Sequence, residues 1–173
     1  MLHFKYLKEK LFVENVSVQN IVKKNKTPFY LYSEQQIKTN YLNFKKTFKN
    51  VNPLICFAAK ANTNLTIMKI LAKLGSGADV VSGGELLKAL KAGIKPNRIV
   101  FSGVGKTEEE LKLAIKKNIL LINVESESEA ILINKIGKKI NKIIPIGFRL
   151  NPNVDAKTHK KISTGKAENK FGL

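Results

Sequence analysis

The feature of this sequence that most restricts its fold is a regular alternation of apolar runs and amphipathic segments. Apolar, strand-like runs start 20 to 24 residues apart, at residues 54–58, 78–81, 98–102, 120–124 and 143–150. The segments between them place apolar side chains at helical spacing. Strands that alternate with helices of about 10–15 residues indicate βα units and a parallel sheet. Such uniform spacing suits a (β/α)8 barrel as well as a doubly wound sheet.

Polar residues mark the starts of the predicted helices. Three pairs of residues have the spacing of a helix N-cap and its third helical residue: Ser33 with Gln36, Thr107 with Glu110, and Ser126 with Glu129. Acids follow the second and third caps, and lysines lie near the far ends of those helices, which complements the helix dipole. The first of these helices is predicted to run through Phe48, and the last to end at Gly137.

The chain length bears on how much of a barrel is present. A whole (β/α)8 barrel typically needs about 250 residues, whereas this chain has 173 residues and about five βα units. We therefore expect an incomplete barrel that lacks its last strands. Residues 28–33, "PFYLYS", are predicted to form a further strand outside the regular series.

The formal net charge of +18 raises the question of nucleic-acid binding. Only two of the 31 basic residues, Arg98 and Arg149, are arginine, and the lysines are spread along the whole chain. Arginine is the favoured side chain for bidentate contacts to phosphate and guanine. We therefore expect no nucleic-acid partner.

Other classes of protein and site are excluded by what the sequence lacks. No apolar run approaches the roughly 18 residues of a membrane span, and the N-terminus has no signal-peptide pattern, which predicts a cytoplasmic protein without a membrane partner. A single cysteine, Cys56, excludes an internal disulfide framework and is interpreted as a small buried hydrophobic residue. His3 and His159 have no partners at metal-ligand spacing, so no metal site is expected.

Candidate functional residues lie where the predicted strands end, because the active site of a βα barrel lies at the C-terminal ends of its strands. The run "ICFAAKAN" ends in Lys60, which is either a solvated strand end or a nucleophile. A neutral lysine amine can form a Schiff base with an aldehyde, the linkage that pyridoxal phosphate enzymes use. Asp79 breaks an otherwise apolar strand, and the guanidinium of Arg149 is predicted to point into the barrel mouth.

Two further polar residues near strand ends have simpler interpretations. Ser82 has the spacing to cap the next helix together with Glu85, and Lys106 is interpreted as a solvated lysine just before Thr107. The strand ends also carry Ser102, Asn123 and Glu125.

Five motifs, in this order and spacing, resemble the N-terminal half of the diaminopimelate decarboxylase family: "PFYLYS", "FAAKAN", "GADVVSGGEL", "GFRLNPNVDAKTHKKISTG" and "NKFGL". This family belongs to the alanine racemase-like, fold type III group of pyridoxal phosphate enzymes. The resemblance covers the chain from about Thr27 onward. The last two motifs favour this family over the ornithine, arginine and carboxynorspermidine decarboxylases.

The resemblance implies a fold and an activity. The fold is α/β, with an incomplete (β/α)8 TIM barrel over residues 34–173 and, in residues 1–33, an N-terminal segment and strand of a β-rich second domain. The implied reaction is the pyridoxal phosphate-dependent conversion of meso-2,6-diaminopimelate to L-lysine and CO2, the last step of lysine biosynthesis, by a homodimer. The phosphate-binding loops of the family match nothing before Leu173, so we expect the chain to be inactive alone. The alternatives are another decarboxylase of the group and a non-catalytic cofactor-binding relative.

The resemblance also implies roles for individual residues. Lys60 matches the catalytic lysine that holds the cofactor covalently, and Ala58 matches the small position beneath the cofactor ring. Asp79 matches an acid near that lysine, and Arg149 matches an arginine close to the cofactor. Ser82 and Ser102 are further cofactor-binding candidates at the rim, and His159 lies in a family-like segment without an assigned role.

Overall fold

The computed structural model describes residues 3–48, 50–154 and 171–173 of the chain. The chain divides into two compact units, Met1–Pro53 and Leu54–Leu173. The strands are β1 Phe4–Leu7, β2 Lys10–Val13, β3 Val16–Ser17, β4 Cys56–Ala58, β5 Gly77–Val80, β6 Ile99–Phe101, β7 Leu121–Val124 and β8 Ile146–Phe148. The α-helices are α1 Val18–Val22, α2 Glu34–Thr47, α3 Leu65–Lys73, α4 Gly83–Lys91, α5 Glu108–Lys117 and α6 Glu127–Lys139.

The N-terminal unit contains a small antiparallel sheet, in the order β1-β2-β3, that the sequence patterns did not predict. The predicted strand at residues 28–33 is wrong: these residues join no sheet, and the side chain of Tyr30 is 91% exposed. A strand needs a hydrogen-bonded neighbour, and the described part of the chain offers none along this segment. The segment instead ends at Ser33, whose Oγ accepts a hydrogen bond from the Gln36 N–H at 3.0 Å and caps α2.

Helix α2 lies in the N-terminal of these two compact units. The carboxylate of Glu14, in the turn between β2 and β3, accepts hydrogen bonds from Ser33 Oγ at 2.7 Å and from the Gln35 N–H at 2.9 Å. These contacts hold the start of α2 against the small sheet. The assignment of the N-terminal segment to a β-rich second domain stays a prediction.

The second unit is a five-stranded parallel sheet in the order β4-β5-β6-β7-β8. Adjacent strands pair along the sheet in sequence order, with Phe57 opposite Ala78 and Val124 opposite Phe148 at its two ends. Helices α3 to α6 connect successive strands, as in the βα series predicted from the spacing of the apolar runs. The α/β fold with part of a parallel barrel is therefore confirmed.

The core of this unit lies between the sheet and its helices. Val80, Ile99, Phe101 and Val124 of the strands are fully buried. They belong to one cluster with apolar side chains of the helices: Met68 of α3, Leu86 of α4, Leu111 of α5 and Ile133 of α6. Burial of a large apolar side chain contributes about 1.5–3 kcal/mol, so this face of each helix fixes its place on the sheet.

The predicted helix starts are confirmed, and one predicted helix end is wrong. Ser33, Thr107 and Ser126 are N-caps, and Thr107 forms a complete capping box with Glu110. Helix α6 continues past Gly137 to Lys139. A Cβ at Gly137 would lie 2.8 Å from the carbonyl oxygen of Lys142, so the glycine permits a close approach of the chain and does not terminate the helix.

Within the described residues, no helix is both long and apolar enough to cross a membrane.

Glu110 links two successive βα units. Its Oε1 accepts a hydrogen bond from the Gly83 N–H at 2.7 Å, and its Oε2 accepts one from the Thr107 N–H at 3.0 Å. The Gly83 N–H, followed by the Thr107 N–H, holds the pKa of the Glu110 carboxyl below its usual value, because both donors favour the ionised form.

We expect Glu110→Ala to lower the free energy of unfolding by about 1–3 kcal/mol at neutral pH, because two backbone N–H groups lose their acceptor. Since the folded-state pKa of Glu110 is lowered, the stabilisation is present above the unfolded pKa and is lost as the pH falls through the folded value. Urea unfolding should therefore show a difference between wild type and variant that shrinks toward acid pH. Glu109→Ala, which removes an exposed neighbouring carboxylate, is the control, and equal losses in the two variants would contradict the assignment.

Candidate active site

A cavity of about 630 Å³ opens at the C-terminal ends of the five parallel strands. This size is typical of small-molecule sites, which occupy about 300–1,000 Å³. The polar or charged side chains that line it come from strand ends or the residues just after them: Lys60, Asp79, Ser102, Asn123, Glu125 and Arg149. Parallel strands bring their C-terminal ends to one edge of the sheet, and this brings together residues that are far apart in the sequence.

Lys60 reaches the cavity because β4 ends just before it. A single turn of 3-10 helix, Ala59–Ala61, follows the strand directly, and the Asn62 N–H closes it on the Ala59 carbonyl at 3.1 Å. Ala59 is fully buried, whereas Lys60 is exposed and lines the cavity. The turn therefore anchors the backbone on its apolar side and presents a primary amine at the mouth of the site.

A directed chain of hydrogen bonds joins three neighbouring strands on the cavity wall. Asn123 Nδ2 donates to Ser102 Oγ at 3.0 Å, and Ser102 Oγ donates to Asp79 Oδ1 at 2.5 Å. A hydroxyl can donate only one hydrogen bond, and Ser102 donates it to the Asp79 carboxylate. Ser102 therefore fixes the orientation of the Asp79 carboxylate.

Arg149 and Glu125, which both line the cavity, form an ion pair. Arg149 Nη1 lies 3.0 Å from Glu125 Oε1, and the guanidinium carbon lies 4.6 Å from the centroid of the Phe171 ring. A guanidinium over an aromatic face is attracted by the ring quadrupole. The ion pair therefore places the Arg149 guanidinium at the cavity and holds it against the Glu125 carboxylate.

Lys106 lies behind the rim of the site, and its interpretation as a solvated lysine is wrong. Its side chain is 1% exposed. The ammonium donates to the Gly103 carbonyl, the Asn123 carbonyl and Glu129 Oε1, each at 2.7 Å. An ammonium has three protons, and all three are used. Because the acceptors come from three separate elements, the sequence around Lys106 carried no signal of this burial.

Two of the predicted site residues, Ala58 and Ser82, do not lie among the described residues that line the cavity. Ala58 is half-buried in β4, two positions before Lys60. Ser82 Oγ accepts a hydrogen bond from the Glu85 N–H at 3.2 Å and caps α4, which is the alternative interpretation of this serine. His159 lies outside the described residues. Cofactor-binding roles for Ala58 and Ser82 stay predictions.

Neither the Cys56 thiol nor a cluster of metal ligands adds a reactive group to the described part of the chain. Cys56 is half-buried in β4, and burial raises the pKa of its thiol. The thiol is therefore held in its neutral form, which is the weaker nucleophile. Among the residues that the structure describes, His, Cys, Asp and Glu side chains form no cluster of three that could hold a metal ion.

Comparisons with known proteins bear on this site. The family model for the pyridoxal-binding domain of pyridoxal-dependent decarboxylases matches residues 34–173. The chain is 57% identical over 148 residues to the diaminopimelate decarboxylase of Helicobacter pylori strain J99, covering 86% of this chain and 36% of that protein. It is 53% identical over 147 residues to the diaminopimelate decarboxylase of Campylobacter jejuni, covering 85% of this chain and 37% of that protein.

A solved structure has a similar fold over the matched region. The crystal structure of the diaminopimelate decarboxylase of M. jannaschii in complex with L-lysine matches with a TM-score of 0.90 and 44% identity, covering 98% of this chain and 41% of that one. The chain thus spans less than half the length of the relatives that it matches.

Proposed function

Since the chain belongs to the family of pyridoxal-dependent decarboxylases, matched through the pyridoxal-binding domain, we propose that it is the cofactor-binding part of a diaminopimelate decarboxylase. The reaction is the removal of one carboxylate from meso-2,6-diaminopimelate, which yields L-lysine and CO2. The observation that carries the proposal is the convergence of Lys60, Asp79 and Arg149 on one cavity at the C-terminal ends of parallel strands.

The residues at the cavity fit pyridoxal 5'-phosphate. The volume of about 630 Å³ suits a cofactor together with an amino acid. Lys60 supplies the primary amine that can react with the cofactor aldehyde, and Ala58 supplies a small side chain on the strand that leads to it. Arg149 supplies a positive charge for an anionic edge of the cofactor or the substrate.

The mechanism assigns a distinct task to each of these residues. When bound, pyridoxal phosphate supplies an electron sink for the carbanion that loss of CO2 leaves on the substrate α-carbon. Lys60 would hold the cofactor covalently, and its Nζ can also hold a proton for delivery to that carbon. Asp79, fixed by Ser102, presents an oriented carboxylate on the same wall. Arg149 orients the bound molecules by charge.

The choice of diaminopimelate over other amino acids is supported by the relatives. The matched decarboxylases of H. pylori and M. jannaschii have been crystallised with L-lysine. The structure of an arginine decarboxylase matches with a lower TM-score of 0.62 and 24% identity, which is evidence for the fold alone. The family resemblance extends the proposal to a homodimer, and the absence of a signal-peptide pattern in the given sequence extends it to the cytoplasm.

We expect the protein produced from its whole coding sequence to release CO2 from meso-diaminopimelate at least about 100-fold more efficiently than from L-ornithine or L-arginine, compared as kcat/KM. The reason is that a site built to bind the second carboxylate of diaminopimelate leaves polar groups unpaired with ornithine and arginine, which lack that group. Greater efficiency with ornithine or arginine would reassign the substrate within the group. Binding of the cofactor without CO2 release from any of the three amino acids would favour the non-catalytic relative.

A further inference from the structure

We propose that Glu125 is a positioning residue that sets the orientation of Arg149 at the cofactor-binding cavity. Glu125 stands just after β7, at a strand end, and its sequence position alone indicates no role. The inference rests on the proposed function, because it concerns how this site presents its positive charge to pyridoxal phosphate.

Glu125 gathers donors from three separate segments of the chain. Its Oε1 accepts hydrogen bonds from Arg149 Nη1 at 3.0 Å and from the Gly103 N–H at 3.2 Å. Its Oε2 accepts one from the Gly172 N–H at 3.1 Å. These donors lie after β8, after β6 and in residues 171–173. One carboxylate therefore joins two strand ends and a segment that is distant in sequence.

The burial of Glu125 shows that this carboxylate needs its partners. The residue is 7% exposed, and a buried charge is costly unless it is paired and hydrogen-bonded. The Arg149 side chain is 38% exposed. The ion pair therefore lies across the boundary of the cavity, with its anion inside the protein and its cation at the surface that a ligand would meet.

Residues 171–173 hold Arg149 from a second direction, and Glu125 connects to the same segment. The Leu173 N–H donates to the Arg149 carbonyl at 2.8 Å, and the Phe171 ring lies against the guanidinium. Gly172 has φ +74°, and a Cβ there would lie 2.7 Å from the Arg149 carbonyl oxygen. Glu125 is thus the acceptor shared by the Arg149 side chain and by the backbone segment that packs on it.

The backbone of Glu125 is itself fixed from behind. Its N–H donates to Glu129 Oε2 at 2.8 Å, and Glu129 Oε1 accepts the buried Lys106 ammonium. The backbone position of Glu125 is therefore held by α6, while its carboxylate is held by Arg149, Gly103 and Gly172.

A double-mutant cycle separates positioning of Arg149 from a general structural role. The variants are Glu125→Gln, Arg149→Met and the pair together, in protein produced from the whole coding sequence. The measurement is the dissociation constant of pyridoxal phosphate, by absorbance titration after removal of the cofactor. Glutamine keeps the size of Glu125 but replaces one acceptor by an NH2 donor, so one N–H partner must face a donor whichever way the amide turns.

We expect Glu125→Gln to weaken cofactor binding by about tenfold, the effect of losing one charge-assisted hydrogen bond. In the Arg149→Met background the same change should weaken binding by less than about twofold, because the residue through which Glu125 acts is gone. Glu127→Gln removes an exposed carboxylate from the first turn of α6 and is the matched control, with an expected change of less than about twofold. Melting temperatures of all variants accompany the titrations.

An equal loss of affinity in both backgrounds would overturn the inference, because Glu125 would then act on the site independently of Arg149. An unchanged affinity in Glu125→Gln would overturn it as well. If Glu125→Gln is not obtained folded, Glu125→Asp, which retains the charge and shortens the reach, replaces it. Its effect on cofactor affinity should likewise shrink to less than about twofold in the Arg149→Met background. Failure of the unmutated protein to bind the cofactor would contradict the proposed function itself, and this result is distinct because it precedes any substitution.

Discussion

Replacing Lys60 by alanine should abolish covalent attachment of pyridoxal phosphate, while the unsubstituted protein keeps the cofactor on this lysine. Incubation with the cofactor, reduction by borohydride and peptide mass spectrometry would locate the adduct. The expectation follows from the position of the amine at the mouth of the cavity, at the end of a strand whose next residue is fully buried. A Schiff base requires a primary amine, and alanine has none.

The control for this experiment is another lysine of the same unit. Lys91 is exposed in the last turn of α4 and does not line the cavity, so Lys91→Ala should retain the adduct. Lys60→Arg tests the chemistry further, because it keeps a positive charge but should also lose the adduct. Persistence of a reduced adduct at the same yield in Lys60→Ala would show that the cofactor is attached elsewhere, and the proposed site would then be wrong.

Replacing Lys106 by methionine should destabilise the protein by about 3–5 kcal/mol, the cost of removing one partner of a buried ion pair. Methionine preserves much of the length of the side chain, but it has no donor for the Gly103 carbonyl, the Asn123 carbonyl or Glu129. All three acceptors lie 2.7 Å from the ammonium, whose side chain is 1% exposed. Urea unfolding at neutral pH measures the loss.

A surface pair provides the comparison for Lys106. Lys112 forms an i,i+4 ion pair with Glu108 at 2.8 Å, and its side chain is 54% exposed. Lys112→Met should therefore change the free energy of unfolding little, because the pair is solvated. The double variant Lys106→Met with Glu129→Leu should recover part of the loss, because it removes the uncompensated carboxylate. Similar small losses for Lys106→Met and Lys112→Met would contradict the buried network.

The sequence predicted what is decided locally. The capping box of Thr107 and Glu110 spans four residues, so its pattern is legible without tertiary structure. The parallel strands were predicted because their buried runs recur at a regular spacing. Strands β1 to β3 were missed because they are two to four residues long, and β1 is exposed throughout, so no apolar alternation marks them.

Part of the candidate site was predicted because the regular spacing of the apolar runs shows where the parallel strands end. Lys60, Asp79, Ser102 and Arg149 line the cavity because they end parallel strands, which the spacing of the runs revealed. The burial of Lys106 depends on Asn123 and Glu129, which lie 17 and 23 residues away. Contacts of this kind follow from the way separate elements pack together. No local sequence pattern predicts them. The role inferred for Glu125 was missed because its contacts also come from residues distant in sequence.

The hydrogen bonds from Asn123 to Ser102 and from Ser102 to Asp79 run in one direction across three strands. A carboxylate in place of Asn123 would set two acceptors against a hydroxyl with one proton, and an amide in place of Asp79 would remove the charge that fixes the direction. The hydrogen-bonding groups of Asn123, Ser102 and Asp79 therefore limit which side chains can replace any one of the three. Over evolutionary time these three positions should be inherited as a unit, with a change at one accompanied by a compensating change at another.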